Sequence, residues 1–503
     1  MIATATRDAI LSVLILATSV SADSPPTAAA TADGYRGLWY FNQRIGGEFV
    51  YKYSGGLGTY CAKHKPMAVY RPQVNKTFFC YGGVDADYIE RFSAELDKGN
   101  LDGESPDGAI YHMVSYFDHT TGEVVRPTIL CDKHTLDAHD NPVMTIDTEG
   151  YLWIYSTAHG RSRPAFVHKS KEPYDVRHFE RVTPVDMASD RATPITNFSY
   201  MQAWHSDRQG FCFFYTKYDS FAKRKTLFAH SIDGLKWNTQ HVADIEAGHY
   251  QISAVDDTKA ATAFNYHPHE FAGHAGQKGL NWRTNLYYVE TLDQGNTWQA
   301  ADGTAVTLPL TDRDNAGLVH DYEQEELLVY MKDIALDGDG NPHILFITSK
   351  GYASGPANGP RTWRLARWTG DQWQIHDVTT SDNNYDMGSL YLHDDQSLTV
   401  IAPTEPGPQP FNPGGEIAMW KSRDGGVSWQ STQLTGGSPY NHTYVRRPVD
   451  AAPEFYGFWA DGHGRKPSPS QLYFCDSAGN VFRLPKHMHS DSQAPEQVKF
   501  EQN

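Results

Sequence analysis

SIDGLKW (231–237), TLDQGNTW (291–298) and SRDGGVSW (422–429) share one pattern: Ser or Thr, any residue, Asp, a glycine within two positions, and a closing Trp. In such a stretch the Asp carboxylate accepts the amide hydrogens of a tight turn, the glycine takes up positive φ, and the indole anchors the turn on a sheet. Three hairpin turns of one design imply a repeated sheet. Their tryptophans stand 61 and 131 residues apart, the second interval close to twice the first, and a weaker WTGDQW (368–373) falls in the wider gap. A period of about 60 to 65 residues suits one four-stranded blade with long loops, and the chain has room for about seven.

The rest of the chain agrees. FCFFYTKY, NLYYVETL, ILFITSK and SLTVIAP read as short strands between turns, and no stretch keeps an apolar i, i+3, i+4, i+7 pattern long enough for a helix. The expected fold class is all-β, a seven-bladed β-propeller forming one domain over 35–490. The turn motifs resemble Asp-boxes, which sit on the rim of propellers and report fold rather than chemistry.

Ahead of that domain, Arg7 precedes the apolar run AILSVLILATSV, and Val20-Ser21-Ala22 offers small residues for cleavage, so 1–22 reads as a signal peptide. DSPPTAAATADG then reads as a disordered leader over 23–34, and 491–503 as a C-terminal tail. No segment is long and apolar enough for a membrane span. The protein is expected to be exported, to the medium, cell surface or periplasm, as a monomer. The five cysteines are scattered without a CxxC pair and read as single buried thiols. A net charge of −17 argues against nucleic acid or an anionic membrane as partner. A polyanionic ligand would need cations concentrated locally.

One hairpin carries chemistry. In LDAHDNPVMTIDTEGYLWIYSTAHG (136–160), Thr148-Glu149-Gly150 reads as a three-residue turn with Asp147 facing Tyr151. Facing residues of an antiparallel pair keep a constant sum, here 298, and His139 with His159 gives the same sum. The two imidazoles are therefore expected to meet where strands give way to loops. Such a pair can bind a metal, share a proton, hold a carboxylate, or simply be structural. A second cluster, His249, Tyr250, Asn265, His267, His269, His274 and Arg283, suits ligand contacts, loose zinc ligation, or packing. DGDGNP (337–342) resembles part of a calcium loop but lacks its terminal Glu, and reads as a turn.

The blocks GYRGLWYFNQ, YKYSGGLGTYCAKH, NKTFFCYGG, DAHDNPV, TAHGR, FNYHPH, RTNLYYVETLDQGNTW and FWADGHGR resemble those of the propeller-type ulvan lyases, polysaccharide lyase families twenty-four and twenty-five, more the latter. That resemblance implies a lyase cleaving ulvan, an anionic sulfated polysaccharide of rhamnose and uronic acid, by β-elimination. It implies a catalytic set of His139, His159 and Tyr200, with Tyr200 as base and acid, and an arginine on the following strand. This sequence departs there: the nearest cation is Lys217, with Arg161 and Arg208 as alternatives. Asn141, Arg161, His249, Tyr250, Asn265, His267 and Arg283 are the expected substrate contacts. No cofactor is required for the elimination, and a structural divalent ion, zinc or calcium, is left open. Two other readings stand beside it: an Asp-box glycoside hydrolase of the sialidase kind, and a propeller that binds carbohydrate without cleaving it.

Overall fold

The computed structural model describes residues 28–57, 64–98, 109–161, 163–189, 191–218, 224–248, 250–268 and 281–500. Seven sheets, antiparallel but for Val185–Asp186 beside Lys236–Ala243, follow one another along the chain as the blades of a seven-bladed β-propeller. Their innermost strands are, in order, Ala68–Arg71, Pro142–Ile146, Ser199–Ser206, Gln251–Val255, Leu328–Leu336, Ser389–Leu392 and Asn441–Arg446. We number the blades 1 to 7 by these strands. The hydrophobic clusters lie mainly between neighbouring blades, for example Trp153, Tyr155, Phe213 and Trp237 between blades 2 and 3, so each sheet is stabilised by burying a face on the next.

The turn motifs fall where the period placed them. All three, and WTGDQW, join the third and fourth strands of their blades, 3, 4, 6 and 5 respectively. In blade 3 the Asp233 carboxylate accepts the amides of Leu235 (2.9 Å) and Lys236 (2.8 Å), and the Trp237 indole donates to the Gly234 carbonyl (2.9 Å). Gly234 has φ +73°, and a Cβ there would meet the Trp153 ring of blade 2 at 2.9 Å. Glycine is needed both for the turn and for the close approach. DGDGNP is likewise a turn, with the Asp337 carboxylate accepting the amides of Asp339 and Asn341.

Both ends of the chain close the ring. Gly37 bridges Gly83 of blade 1 and Ser470 of blade 7. Ser492–Gln493 pairs with the outer strand Glu123–Val125 of blade 1, and Glu496–Val498 pairs with Val481–Arg483 of blade 7. The stretch expected as a tail from 491 is therefore part of two sheets up to Val498. The last residues of the expected leader are also engaged: the Ala29 amide donates to the Arg177 carbonyl, and Thr31 bridges Thr128. Backbone pairing at a sheet edge asks nothing of the side chains, so composition could not reveal it. The proposed signal peptide lies outside the described residues.

A helix was also missed. Tyr88–Lys98 is α-helical, with Tyr88, Phe92 and Leu96 buried at i, i+4 and i+8, three anchors on one narrow stripe rather than a sustained pattern. Before blade 1, a hairpin of Tyr40–Arg44 and Tyr51–Gly55 carries Tyr40 to His139 of blade 2 and Tyr53 to Tyr385, ahead of blade 6. It packs on the face where the inner strands begin. Cys80, Cys131, Cys212 and Cys475 are free thiols, and Cys61 lies outside the described residues.

Candidate active site

The hairpin of blade 2 keeps the expected register: Pro142 faces Ser156 and Ile146 faces Leu152, each pair adding to 298. The ladder stops at Pro142, and Ala138–Asp140 forms a single 3-10 turn capped by Asp137, whose side chain accepts the His139 amide. His139 and His159 nevertheless meet. Their rings stack with centroids 3.7 Å apart and planes 8° from parallel. The cause is Asp137, whose buried carboxylate takes Nδ1 of His139 on one oxygen and Nδ1 of His159 (2.8 Å) on the other. Burial pushes the Asp137 carboxyl up, but the two imidazoles outweigh it and hold it well below the usual carboxylate range. Arg163 completes the support, donating to Asp137 (2.6 Å) and to both oxygens of Asp140 (3.0 Å each). With both Nδ1 atoms on one carboxylate, the stacked rings present their Nε2 edges together.

Tyr200 faces this pair, its ring edge-on to His139 at 5.7 Å and to His159 at 6.4 Å. It sits at a β-bulge: Ser199 pairs with Thr216 and Gln202 with Phe214, and Tyr200 adopts φ +51°. A bulge re-aims a side chain that regular alternation would send elsewhere, and the left-handed backbone costs about 1–3 kcal/mol held by the surrounding fold. The Tyr218 hydroxyl donates to the Tyr200 oxygen at 3.2 Å. Tyr218 faces Arg224 across the mouth of the next hairpin, and the Arg224 guanidinium lies 5.3 Å from the Tyr218 ring and 5.0 Å from that of Tyr250. Burial raises the Tyr218 pKa, but Arg224 and His159 outweigh it and bring it below the normal phenol value. Arg224 is itself buried and stays charged, because the tyrosines around it, Tyr200 included, favour the cation.

Blade 4 supplies the adjoining wall. Tyr250 stands edge-on to Tyr200 at 5.5 Å and to His267 at 5.2 Å, with the Arg283 guanidinium 4.5 Å from its ring. Arg283 also lies beside Tyr330 and Tyr385. On the other side, the Tyr40 hydroxyl is 3.2 Å from Nδ1 of His139, and His64 packs on Tyr200 at 5.8 Å. Burial, then the nearby charges of His139 and Arg446, bring His64 down to about 3, so it is neutral. Most of these groups are buried. His159, with a side chain 19 % exposed, opens furthest to solvent.

Of the residues expected from sequence, the structure brings together His139, His159, Tyr200, Tyr250, His267 and Arg283. Two are behind the site. Asn265 spends its amide on backbone, accepting the Tyr250 amide (3.1 Å) and donating to the Val329 carbonyl (2.8 Å). Asn141 is buried against Gly82 of blade 1. Lys217 is a correction: it is exposed and faces Lys225, whereas Tyr218, next in the alternation, turns inward. Arg208 lies in the turn after Ser206, at the opposite end of the strand from Tyr200. Arg161 is exposed just past His159. His249, His269 and His274 lie outside the described residues. Sequence reading missed Asp137, Arg163, Tyr218 and Arg224. Asp137 lies inside the histidine hairpin, next but one to His139, whereas the facing of Tyr218 with Arg224 depends on where the connection between their strands returns the chain.

Asp137, His139 and His159 offer three ligand atoms within 4.8 Å of one another. An ion there would have to displace the Arg163 guanidinium and the short imidazole bonds already on that carboxylate. The donor set is better suited to a charge clamp, in which Asp137 fixes two imidazoles beside a phenol.

A model described as "BNR repeat-containing family member" matches residues 106–381. An ulvan lyase of Nonlabens ulvanivorans is 24 % identical over 337 residues, covering 60 % of this chain and 66 % of that protein. "Ulvan Lyase-PL25" of Pseudoalteromonas sp. (strain PLSV) is 23 % identical over 323 residues, covering 58 % and 61 %. The chain thus spans just under two thirds of the length of these curated relatives. Among solved structures, a polysaccharide lyase PL25 ulvan lyase superposes with a TM-score of 0.64 at 18 % identity, over 89 % of this chain and 96 % of that one. A PL25 ulvan lyase bound to -[GlcA(1-4)Rha3S]- gives 0.63 at 18 % identity, over 88 % of this chain and 96 % of that one. Polysaccharide lyase Uly1 gives 0.57 at 12 % identity, over 91 % and 98 %. These structures share the fold.

Proposed function

The chain belongs to the BNR repeat-containing family, and from that premise and the paired histidines we propose that it is a polysaccharide lyase cleaving ulvan by β-elimination. The carrying observation is the stacked His139–His159 pair on Asp137, set edge-on to Tyr200. Elimination has three demands: a positive or hydrogen-bonding group at the uronate carboxylate, a base for the proton at C5, and an acid for the departing O4. The Nε2 edges of His139 and His159 meet the first. Tyr200, as phenolate, takes the C5 proton. The electron pair of that C–H bond becomes the C4–C5 double bond, the C4–O4 bond breaks, and the proton is returned to O4.

Arg224 takes the place of the arginine that the resemblance puts on the preceding strand. It lies close enough to Tyr200, Tyr218 and Tyr250 to favour phenolate, and Tyr218 steadies that charge through its hydrogen bond. Tyr250, His267 and Arg283 extend the polar wall to neighbouring sugars and their sulfates. A hydrolase of the sialidase kind would instead need an arginine triad for a carboxylate with a Tyr/Glu nucleophile pair, or two facing carboxyls; the two carboxyls nearest the histidines, Asp137 and Asp140, are both tied to Arg163. The reading extends to an exported enzyme whose chemistry requires no metal.

The test is incubation with ulvan, following the ultraviolet absorbance of the unsaturated uronate that only elimination creates. The native protein is expected to generate it and Tyr200→Phe to lose it while remaining folded by circular dichroism. Bound polymer with no absorbance would overturn the lyase reading, and a near-normal rate for Tyr200→Phe would overturn the assignment of the base.

A further inference from the structure

The other end of the central channel holds an unexplained cluster of cations. The inner strands begin at the face carrying Tyr200 and Tyr250. Where several of them end, a cavity of about 200 Å³ opens between blades 1, 3, 4, 5, 6 and 7. Its lining reaches Trp204, four residues along the inner strand from Tyr200, and Lys65, which runs beside Gln202 of the same strand. Lys65, Arg446 and Arg447 line it, with Asp333 as their one buried carboxylate.

Asp333 is already committed. It accepts from the Lys65 ammonium at 2.6 Å on one oxygen and from the Leu390 amide at 2.9 Å on the other, and Arg447 stands 3.9 Å away. Arg446 is 5 % exposed, and its Nε and Nη2 are buried without a hydrogen-bond partner among the described residues. Asp256 and Asp450 also line the cavity, but Asp256 caps the turn at Thr258 and Lys259, and Asp450 is largely exposed beside Arg71. Lys332, another lining residue, sends its ammonium to the Asn384 carbonyl (2.6 Å). Of the four lining cations, Lys332 is turned towards Asn384, and the other three, Lys65, Arg446 and Arg447, share one buried carboxylate, in a protein whose net charge is −17. Buried charge without a partner is costly. Burial brings the Arg446 pKa down to about 10, in spite of Tyr444 and Asp333, which is the mark of a cation short of a counter-charge.

We propose that this cavity is a binding site for a small dianionic oxyanion of the sulfate type, held by Arg446 and Arg447 with Lys65 beside them. A dianion balances the excess of two positive charges. At roughly 30 Å³ per water, the cavity has room for a tetrahedral anion and a few waters. The guanidinium hydrogens of Arg446 suit oxyanion geometry. An ion bound there would tie blade 7 to blades 1 and 5, stabilising the closed ring by binding only the native state. The inference is independent of the reaction at the opposite face.

Titration calorimetry with sodium sulfate, at ionic strength held constant with chloride, tests it. One sulfate per chain is expected, with a melting temperature that climbs with sulfate and not with chloride. Arg446→Met should bind at least about tenfold more weakly, whereas His159→Gln should bind as the native protein does. Absence of sulfate uptake, an unchanged affinity in Arg446→Met, or a loss in His159→Gln would overturn the site. Should Arg446→Met fail to fold, crystals of the native protein soaked in selenate decide directly. An anomalous peak beside Arg446 supports the proposal, and an empty cavity at saturating selenate contradicts it.

Discussion

Lys217 and Tyr218 are neighbours in sequence and belong to opposite faces of one strand, and the chemistry assigned to the site turns on that difference. The account puts the cation at Arg224, facing Tyr218 across the hairpin. Arg224→Gln is expected to lower kcat/KM on ulvan roughly a hundredfold, the scale of losing one preorganised charge-stabilising group, while Lys217→Ala leaves it near normal. The pH profile carries the same signature. A neighbouring cation favours phenolate, so the rate should rise with pH as the base ionises. Arg224→Gln should move that rise upward in pH. Equal profiles for the two proteins would mean that Arg224 does not act on the base. At this scale the sequence was partly legible. Arithmetic pointed to the pairing of His139 with His159, but the ladder stops at Pro142 and it is Asp137 that brings the two rings together; Tyr200 came from resemblance. Arg224 was hidden because its place depends on where a loop returns the chain, which residue type does not reveal.

At the scale of the element, the Asp-boxes were legible for the reason that they are local: the Asp, glycine and Trp that form each turn lie within eight residues. The Trp237 ring is fully buried and stacks on Phe213 with centroids 4.1 Å apart. Trp237→Ala is expected to cost about 3–5 kcal/mol in denaturant unfolding, as large-to-small core changes do. The rate on ulvan at temperatures where the variant is folded should barely change, since the box lies on the face away from Tyr200. A large fall in rate without a fall in stability would show that the boxes do more than hold the sheets. The helix Tyr88–Lys98 escaped sequence reading because Tyr88, Phe92 and Leu96, with Ile89 half-buried beside them, are its anchors, and its remaining positions are charged or small residues that a loop would equally tolerate. The bulge at Tyr200 was also invisible, since a left-handed tyrosine is imposed by tertiary structure rather than preferred by the residue.

Taken as a whole molecule, the propeller joins groups that no single blade could assemble. His139 and His159 come from blade 2, Tyr200, Tyr218 and Arg224 from blade 3, Tyr250, His267 and Arg283 from blade 4, and Tyr40 from the hairpin ahead of blade 1. Seven blades were legible from the period of the tryptophans. The way the ring closes was not, because Ser492–Gln493 and Glu496–Val498 are brief backbone pairings on edge strands with no pattern of their own. Deleting 491–503 removes both pairings, and the melting temperature should drop by several degrees with an increase in aggregation on heating. An unaltered melt would show that the closure by Gly37 suffices.

The central claim is that the site works on a uronate carboxylate, gripping it beside Tyr200 so that the adjacent proton can leave. Carboxyl-reduced ulvan, in which the uronates have become neutral sugars, tests this most directly when compared with native ulvan in the same assay. The account predicts that native ulvan is depolymerised with growth of the unsaturated-uronate absorbance, and that the reduced polymer is left at full length. Shortening of both polymers at similar rates, without that absorbance, would contradict it.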